Sequence, residues 1–395
     1  MNIAALAKIV LSFLIIVQNV AEFCKENEEF STNYFDENGL KTLGEAGEGK
    51  FNKVGLIGWT VEVNGAPTTV TAVVKIAKEE NQSKELEKEA AILHFLHKHE
   101  RLAAGSQSHP HDAACLEDTT KRLEHVPLMY GCFIHKGMHY LVMEHIPGKL
   151  DPNVIYGSTS SQEKEAQKNA KYNIWGFKEI SPIDRLKIYK QMADALASIH
   201  SKGVVHGDIK PENMLMSEVT KDGKVFFIDF GVSTHGEKPK TCTINYADSK
   251  FVDSHTAIYI QTCPYTHGDK QDVYALGLSI FEIETIFSEE SHFFKYVDHA
   301  FKSYSLTKKI EAIRKYVVEN DWCTKTGINF KESFFGEKVD AIFKQMLDCE
   351  RSNRPSATEV AERLQAIIEK NEGKPGKSLY SNIFDFIAVS TGLLI

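Results

Sequence analysis

The sequence predicts an α+β fold with two lobes, a small β-rich lobe followed by a larger α-helical lobe. Strand-type runs separated by glycine-rich turns fill the segment from Leu43 to Ala77, and one helix follows them. Helical spacing of apolar residues dominates from Asp272 onwards. Strands followed by helices, with no internal repeat, are typical of an α+β architecture. The 395 residues, 42% of them hydrophobic, are enough for one large two-lobed domain or two ordinary ones.

The predicted small lobe begins with antiparallel strands at the runs KVGLIG, WTVEV and TTVTAVVKIA. From Lys84 to His97 apolar residues recur at helical spacing, which predicts one helix. The stretch AAGSQSHPHDAA is rich in turn-forming residues and marks a loop. Two more strands are predicted at CFIHK and MHYLVME, on either side of a turn at Gly137.

The predicted large lobe follows a long polar stretch at about 151–180, which we interpret as a surface insertion. Ser181 and Pro182 form a helix start signal. The run RLKIYKQMADALASIHSKG then repeats apolar residues every three or four positions and stops at Gly203. A long amphipathic helix is therefore expected directly before the stretch VVHGDIKPENMLM.

The N-terminus carries the pattern of a secretory signal peptide, with Lys8, an apolar run and then a polar break. The expected cut follows Ala21, so residues 1–21 would be removed. An uncleaved anchor or a buried N-terminal helix are the alternatives, although the apolar run is short for a bilayer span. We expect the protein in the secretory pathway or secreted, and in the cytoplasm if this segment is not a signal peptide.

Composition bears on the possible partners. The formal net charge is -8 and no basic stripe stands out, so no nucleic-acid partner is expected. The C-terminal tail, residues 371–395, ends in a short apolar run interrupted by Asp385 and is expected to pack on the protein. No stable membrane span is expected from either end.

The cysteines and histidines give weak signals. The seven cysteines show no CxxC pair, so the sequence predicts no zinc site and no dense disulfide framework. If the chain enters the secretory pathway, bridges could form, for example between Cys242 and Cys263, and unpaired thiols are the alternative. The pieces HFLHKH at 94–99 and HPH at 109–111 allow a metal site, but solvated imidazoles are the favoured interpretation.

Lys75 is the first candidate functional residue. It lies near the end of a predicted apolar strand, where its ammonium could reach phosphate oxygens but would be costly to bury alone. Glu89, on the following helix, offers the carboxylate that such a charge needs. Upstream, GEAGEGKFNKV can form a turn whose glycines let backbone N–H groups approach a polyphosphate.

A second group of candidates lies in VVHGDIKPENMLM and in FFIDFG. Asp208 can accept a hydroxyl proton, and Lys210 can neutralise charge on a transferred phosphoryl group. Asn213 can offer a carbonyl oxygen to Mg²⁺, and Asp229 can supply a metal carboxylate. Phosphoryl transfer depends on positioning and charge neutralisation, and these residue types meet that need.

Seven motifs in order make the chain similar to the eukaryotic protein kinase family over about residues 37–370. They are GxGxxxxV at Gly47, Gly49 and Val54, the strand Lys75, the helix Glu89, HGDIKPEN, DFG, DVYALG and RPSA. The resemblance implies the bilobal kinase fold, with a small lobe at about 37–145, a large lobe at about 146–370, and ATP between them. It also implies a hinge at Met143, Glu144, His145 and Ile146, with Met143 as gatekeeper and Leu215 under the adenine.

The same resemblance implies roles for the candidates. Gly47, Gly49 and Val54 would cover the nucleotide. Lys75 would hold the α- and β-phosphates of ATP and Glu89 would orient it, while Asp208 would be the catalytic base. Asn213 and Asp229 would be the Mg²⁺ ligands. Asp272 would brace the catalytic loop, the alternative being an N-cap. The expected partner is a protein Ser or Thr hydroxyl, with the enzyme a monomer.

Several positions depart from the family pattern. Gly207 replaces the Arg of His-Arg-Asp, an Arg that normally pairs with a phosphate on the activation loop, so the usual phosphate-controlled switch is not expected. Asn52 replaces the third loop glycine, and Val73 replaces the Ala above the adenine. In the family, the Glu of Ala-Pro-Glu forms an ion pair with an Arg that corresponds to Arg354. Lys250 aligns with that Glu, so this ion pair would be lost.

Gly207 also allows a second interpretation. Small-molecule phosphotransferases of the aminoglycoside and choline kinase group resemble this chain in their His-Gly-Asp motif, in an Asn five residues later and in a later Asp. Lys210, Pro211 and Glu212 favour protein kinases, and Lys210 favours Ser/Thr over Tyr acceptors. A third alternative is an inactive kinase-fold binding module. Inactive members usually lose the Lys, the base or the metal Asp, and this chain keeps all three.

Overall fold

A six-stranded sheet forms the N-terminal part of the fold. The computed structural model describes residues 25–26, 35–36, 39–40, 44–48, 52–63, 66–78, 83–97, 123–146, 180–217, 222–235, 268–285, 337–348 and 350–371. The sheet contains β1 (Lys25–Glu26), β4 (Gly44–Glu48), β5 (Asn52–Val63), β6 (Ala66–Ala77), β7 (Met129–His135) and β8 (Met138–Glu144), in the order β1-β7-β8-β6-β5-β4. All neighbours are antiparallel except β1 and β7, which are parallel. A separate hairpin pairs β2 (Phe35–Asp36) with β3 (Gly39–Leu40).

The sheet buries both of its faces, because successive side chains of a strand point to opposite sides. Val74 on β6 and Val142 on β8 are fully buried in an apolar cluster on one face. Leu141 and Met143, the alternate residues of β8, belong to the main core on the other face. That second face packs against helix α1 (Ser83–His97). The strand MHYLVME and the helix were predicted at nearly these bounds.

Two histidines of α1 contradict the expectation of solvated imidazoles. His97 is 1% exposed: one ring nitrogen, Nε2, lies 3.0 Å from the Pro127 carbonyl oxygen, and the other, Nδ1, accepts a hydrogen bond from the backbone N–H of Leu123. His94 is also buried. The prediction was wrong because a polar ring can be buried when the backbone of a neighbouring loop satisfies it.

Helices dominate the described residues after position 180. They are α2 (Pro182–Ser201), α3 (Gly268–Thr285), α4 (Glu337–Met346) and α5 (Ala357–Asn371). As predicted, α2 begins at the Ser-Pro pair: the Ser181 hydroxyl oxygen accepts a hydrogen bond from the Asp184 N–H at 3.2 Å, and Pro182 is in the first turn. α5 packs against α2, and α3 packs against both α4 and α2.

Four short strands after α2 form two antiparallel ribbons. β9 (Val204–Val205) pairs with β12 (Thr234–His235), and β10 (Met214–Met216) pairs with β11 (Val225–Phe227), both antiparallel. These two ribbons enclose the loop after β9 and the turn after β11, where the candidate residues lie. The predicted α+β fold, with a β-rich part followed by a helical part, is confirmed.

Several sequence expectations fall outside the described residues. These include the signal peptide, the insertion at 151–179, Gly49, Lys250, residues 372–395, and the proposed bridge between Cys242 and Cys263. Among the helices that the structure describes, none combines the length and the apolar character needed to cross a membrane.

Candidate active site

A row of paired residues crosses the sheet at the predicted phosphate-binding end. Gly47 on β4 is opposite Val54 on β5, Val54 is opposite Lys75 on β6, and Lys75 is opposite Leu141 on β8. The pairing of β4 with β5 shifts register between Glu45 and Gly47, next to the predicted glycine-rich turn. The sheet therefore brings Gly47 and Val54 into line with Lys75.

Lys75 lies at the centre of a buried charge network. Its ammonium donates to both carboxylate oxygens of Glu89, at 2.7 and 2.9 Å, and to Oδ1 of Asp229 at 3.1 Å. Glu89 is 1% exposed and Lys75 is 8% exposed, whereas the Asp229 side chain is 45% exposed. Strand β6, helix α1 and the turn after β11 thus meet at one cation.

The network sets the protonation of its members. Burial alone would lower the pKa of Lys75, but the carboxylates of Glu89 and Asp229 outweigh it and raise that pKa above its ordinary value. The nearby ammonium of Lys75 holds the pKa of Asp229 below its usual range. Lys75 is therefore a cation and Asp229 an anion at neutral pH.

Asp208 is held by two neighbours in the loop after β9. Lys210 donates to its Oδ2 at 2.7 Å, and the Asn213 amide Nδ2 donates to the same oxygen at 2.9 Å and to the Asp208 carbonyl at 2.8 Å. Burial opposes the charge of Lys210, but the Asp208 carboxylate raises the pKa of Lys210 overall. Asp208 is thus oriented as a carboxylate beside a fixed positive charge.

Asn213 and Asp229 are brought together by the β10–β11 ribbon. Met214 is opposite Phe227, and the N–H of Ile228 donates to the Asn213 carbonyl at 3.0 Å. Asp229 follows with φ of 67°, a left-handed conformation that redirects the chain after the strand. The pair offers an amide oxygen and an ionised carboxylate, which are hard oxygen donors of the kind Mg²⁺ prefers.

His206 links the two loops of the site. Its Nε2–H donates to the Ile228 carbonyl at 3.1 Å, and its Nδ1 accepts from the Asp208 N–H at 3.3 Å. Its ring lies 4.7 Å from the Phe230 ring, centroid to centroid. Burial lowers the pKa of His206, so the imidazole is neutral and can both donate and accept.

Asp272, in the second turn of α3, holds the backbone of the loop after β9. Its Oδ2 accepts from the N–H of His206 at 2.8 Å, its Oδ1 accepts from the N–H of Gly207 at 2.9 Å, and its Oδ2 is 2.9 Å from His200 Nε2. The alternative role as an N-cap is wrong, because Asp272 lies inside the helix. Gly207 has φ of 81°, a conformation that favours glycine.

The predicted hinge begins in the last two residues of β8 and continues past its end. Met143 is 4% exposed and is opposite Val73 of β6, and the backbone N–H of Glu144 donates to the Leu128 carbonyl at 2.8 Å. Ile146 is also buried. Leu215 lies on β10, half-buried between two buried methionines.

Comparison with known proteins decides the family. The protein kinase domain model matches residues 40–364, which is most of the chain. The chain belongs to the protein kinase family.

The curated relatives of this kinase are distant and share only part of its length. It is 28% identical over 148 residues to serine/threonine-protein kinase PrkC of Bacillus subtilis, covering 38% of this chain and 19% of the relative. It is 32% identical over 149 residues to sperm motility kinase 3A of Mus musculus, covering 37% and 24%. It is 28% identical over 167 residues to an Aurora kinase of Patiria pectinifera, covering 41% and 33%. The matches thus span about a fifth to a third of these relatives.

Two contacts of the kinase site were missed in the sequence. Ser233 is fully buried, and its hydroxyl donates to the His206 carbonyl at 2.8 Å. The N–H of Phe230 donates to Oε1 of Glu89 at 3.2 Å, so the turn after β11 binds α1 directly. The apolar run before Asp229 and Val232, the one residue between Gly231 and Ser233, gave only a weak signal that this segment is buried.

Arg354, from the RPSA motif, is 2% exposed within the helical part of the kinase. Its Nε donates to the Asp348 carbonyl at 2.6 Å, its guanidinium donates to the Lys270 carbonyl at 3.2 Å, and it lies 4.5 Å above the Tyr274 ring. The residue therefore ties the start of α3 to the turn before α5.

In the part of the chain that the structure describes, no cluster of three or more metal-ligating side chains occurs.

Proposed function

We propose that this kinase is active and transfers the γ-phosphate of ATP to Ser or Thr hydroxyls of proteins. The observation that carries the proposal is the pairing of Lys75 with both Glu89 and Asp229, next to an Asp208 held by Lys210. Protein kinases require the strand Lys to be paired with the helix Glu, and the metal-binding Asp to be in place, before transfer can occur. The first pairing is present, and Asp229 lies 3.1 Å from the same Lys75 ammonium, which supports the proposal.

The residues would divide the work as follows. Lys75 would bind the α- and β-phosphate oxygens, and Glu89 would keep its ammonium in position. Mg²⁺, when bound by Asn213 and Asp229, would neutralise charge on the phosphates. Asp208 would orient the acceptor hydroxyl and take its proton on the carboxylate, while the Lys210 ammonium would offset charge on the transferred group.

The adenine would lie between the two parts of the fold. Gly47 and Val54 are in line with Lys75 across the sheet. Gly49, which lies outside the described residues, would cover the nucleotide together with them. Met143, Glu144 and Ile146 would form the hinge beside the base, and Leu215 would lie beneath it. A monomer contains this whole set of residues, so no second subunit is needed.

Two observations support protein Ser or Thr as the acceptor. Lys210 is two residues after Asp208 and contacts its carboxylate at 2.7 Å, as expected for a Ser/Thr enzyme. The relative from Bacillus subtilis is named a serine/threonine-protein kinase. Because Gly207 lacks the Arg side chain that normally pairs with a phosphate on the activation loop, we propose activity without phosphorylation of that loop.

The second candidate function is transfer to a small molecule, which Gly207 favours. The two functions separate in one assay with Mg-ATP, in which a basic and an acidic test protein are compared with an aminoglycoside and choline. We expect phosphoserine and phosphothreonine on the proteins and no transfer to the small molecules. Treatment with a phosphatase beforehand should leave the rate unchanged.

Two variants make this assay decisive. Asp208→Asn should lower the rate about 10²–10⁴-fold while ATP binding persists. Asp194→Asn, which removes only a surface ion pair of α2 with Lys190, serves as the matched control and should keep the wild-type rate. Normal ATP binding without transfer to any acceptor would instead identify a binding module, and transfer to choline or an aminoglycoside alone would identify the small-molecule enzyme.

A further inference from the structure

Cys132, in the middle of strand β7, is disulfide-bonded. It is 5% exposed and belongs to the buried cluster on the α1 side of the sheet, together with Leu141. Cys132 is the single cysteine among the residues that the structure describes. Its partner is therefore one of the remaining six of the seven cysteines, which are Cys24, Cys115, Cys242, Cys263, Cys323 and Cys349.

The pairing of β1 with β7 indicates which one. The two strands are parallel, with Lys25 opposite Phe133 and Glu26 opposite Ile134. Cys24 directly precedes Lys25, and Cys132 directly precedes Phe133. Cys24 lies outside the described residues, but the same register continued back by one residue would set it opposite Cys132.

We propose that Cys24 and Cys132 form a disulfide that fastens β1 to the edge of the sheet. Neighbouring strands lie about 4.8 Å apart, which is within the Cα–Cα separation of about 4.4–6.8 Å that a disulfide spans. Side chains at the same position of an aligned pair point to the same face of a sheet. Both sulfur atoms would therefore meet on the α1 side, since Phe133 belongs to the cluster on the other face.

The bond supplies what the strand pairing lacks. β1 has only two residues, and two residues form too few backbone hydrogen bonds to hold an edge strand by themselves. Cys349 is flanked in the sequence by Asp348 and Glu350, and the Asp348 carbonyl accepts a hydrogen bond from Arg354 in the helical part. A disulfide between Cys132 and Cys349 would need the Cα atoms of these two residues within about 7 Å of each other.

The chemistry requires an oxidising compartment. The Cys24 thiolate attacks the disulfide of a thiol–disulfide oxidoreductase, which gives a mixed disulfide and releases one thiolate of the oxidant. The Cys132 thiolate then attacks the Cys24 sulfur and expels the second thiolate. Cys24 and Cys132 together lose two protons and two electrons, and the oxidant's disulfide is reduced to a dithiol. Such bonds are rare in the cytosol and common in the secretory pathway, which agrees with the predicted signal peptide.

A peptide map of the full-length protein, produced by secretion from eukaryotic cells, tests the bond directly. Free thiols are alkylated at acid pH, and the unreduced protein is digested with trypsin. We expect peptide 123–136, which holds Cys132, to be linked to the peptide that holds Cys24. That second peptide is 22–25 if the chain is cut after Ala21, and 9–25 if it is not, so one mass also reports the processing.

Two outcomes of the map would overturn the proposal. One is Cys132 alkylated as a free thiol in the secreted protein, and the other is Cys132 linked to any other cysteine. The map uses the wild-type protein, so it does not depend on the folding of a variant. It also does not depend on phosphotransfer, so an inactive protein would still give a clear answer.

Thermal unfolding gives a second readout. Reduction should lower the melting temperature of the wild type by on the order of 5 °C, because the bond closes a long loop of the unfolded chain. Cys24→Ser should show the lower value already and should not respond to reductant. Cys115→Ser is the matched control and should behave as the wild type. A Cys24→Ser protein that still responds to reductant like the wild type would contradict the proposed pairing.

Discussion

The carboxylate of Asp272 accepts hydrogen bonds from the backbone N–H groups of both His206 and Gly207, at 2.8 and 2.9 Å. Asp272→Ala would leave two buried donors without an acceptor, so we expect unfolding to become easier by about 3 kcal/mol. The catalytic loop would also lose its brace, and kcat should fall. Chemical denaturation and a phosphotransfer assay measure the two effects.

Asp269 provides the control on the same helix. It lies in the first turn of α3 and is partly exposed. Asp269→Ala should change the free energy of unfolding by less than about 0.5 kcal/mol. Equal losses in the two variants would mean that Asp272 stabilises α3 itself rather than the loop.

The pair between Lys75 and Glu89 should be needed for nucleotide use. Glu89→Gln keeps the size of the side chain but removes its charge, which leaves Lys75 with one carboxylate partner instead of two. We expect kcat/KM for Mg-ATP to fall about 100-fold, which corresponds to ~2.7 kcal/mol. Initial rates over a series of ATP concentrations measure this.

Glu87, two residues earlier on α1, is the matched control for Glu89. Its Oε1 lies 2.7 Å from His139 Nε2, and its side chain is 26% exposed. Because solvent screens that pair, Glu87→Gln should alter kcat/KM less than about threefold. A similar loss in both variants would show that any change on α1 impairs the enzyme.

Gly207 should be required for its backbone conformation. Its φ is 81°, so Gly207→Ala should cost about 1–2 kcal/mol of folding free energy. Gly137→Ala isolates that cost, because Gly137 has φ of 77° and an added Cβ there would meet nothing within 4 Å. Urea denaturation of both variants should give similar losses. A much smaller loss at 207 would mean that this loop relaxes easily.

Acid should destabilise the fold through His206. Burial lowers the pKa of His206 from 6.5 in the folded protein, so below that pH the unfolded chain binds more protons than the folded one. The stability that the neutral ring contributes is complete above about pH 6.5 and is lost as the pH falls, by up to about 1.4 kcal/mol per pH unit. Denaturation at pH 7.5, 6.5 and 5.5 measures the slope.

Replacement of the ring tests the assignment. His206→Gln should be less stable than the wild type at pH 7.5, because contacts with Phe230 are lost, but its stability should depend less on pH. An unchanged slope in the variant would assign the acid sensitivity to a different buried group.

Much of this fold could be predicted from local patterns. The strand MHYLVME, the helix that starts at Ser181 and Pro182, and the helix that carries Glu89 all have strong periodicity or clear start signals. The partners Lys75 and Glu89 could be predicted because a buried cation needs a carboxylate. Each of these predictions depends on residues that are near in sequence or on a simple charge requirement.

Other features depend on contacts between distant segments and left no local signal. Lys25 and Glu26 form a strand only because the edge of β7 accepts them, and nothing in their identity favours a strand. His97 is buried because the backbone at Pro127 and Leu123 satisfies its ring. The left-handed conformation of Asp229 likewise follows from the turn in which it lies.

Strand β1 also affects how the protein can be produced for experiments. A version trimmed to the family match, residues 40–364, would lack Lys25 and Glu26. The outer edge of β7 at Phe133 and Ile134 would then lose the strand that the structure describes beside it, and unpaired strand edges pair with the edges of other molecules. Such a shortened protein should aggregate more readily than the full-length chain, so the N-terminal residues belong in any sample made for crystallisation.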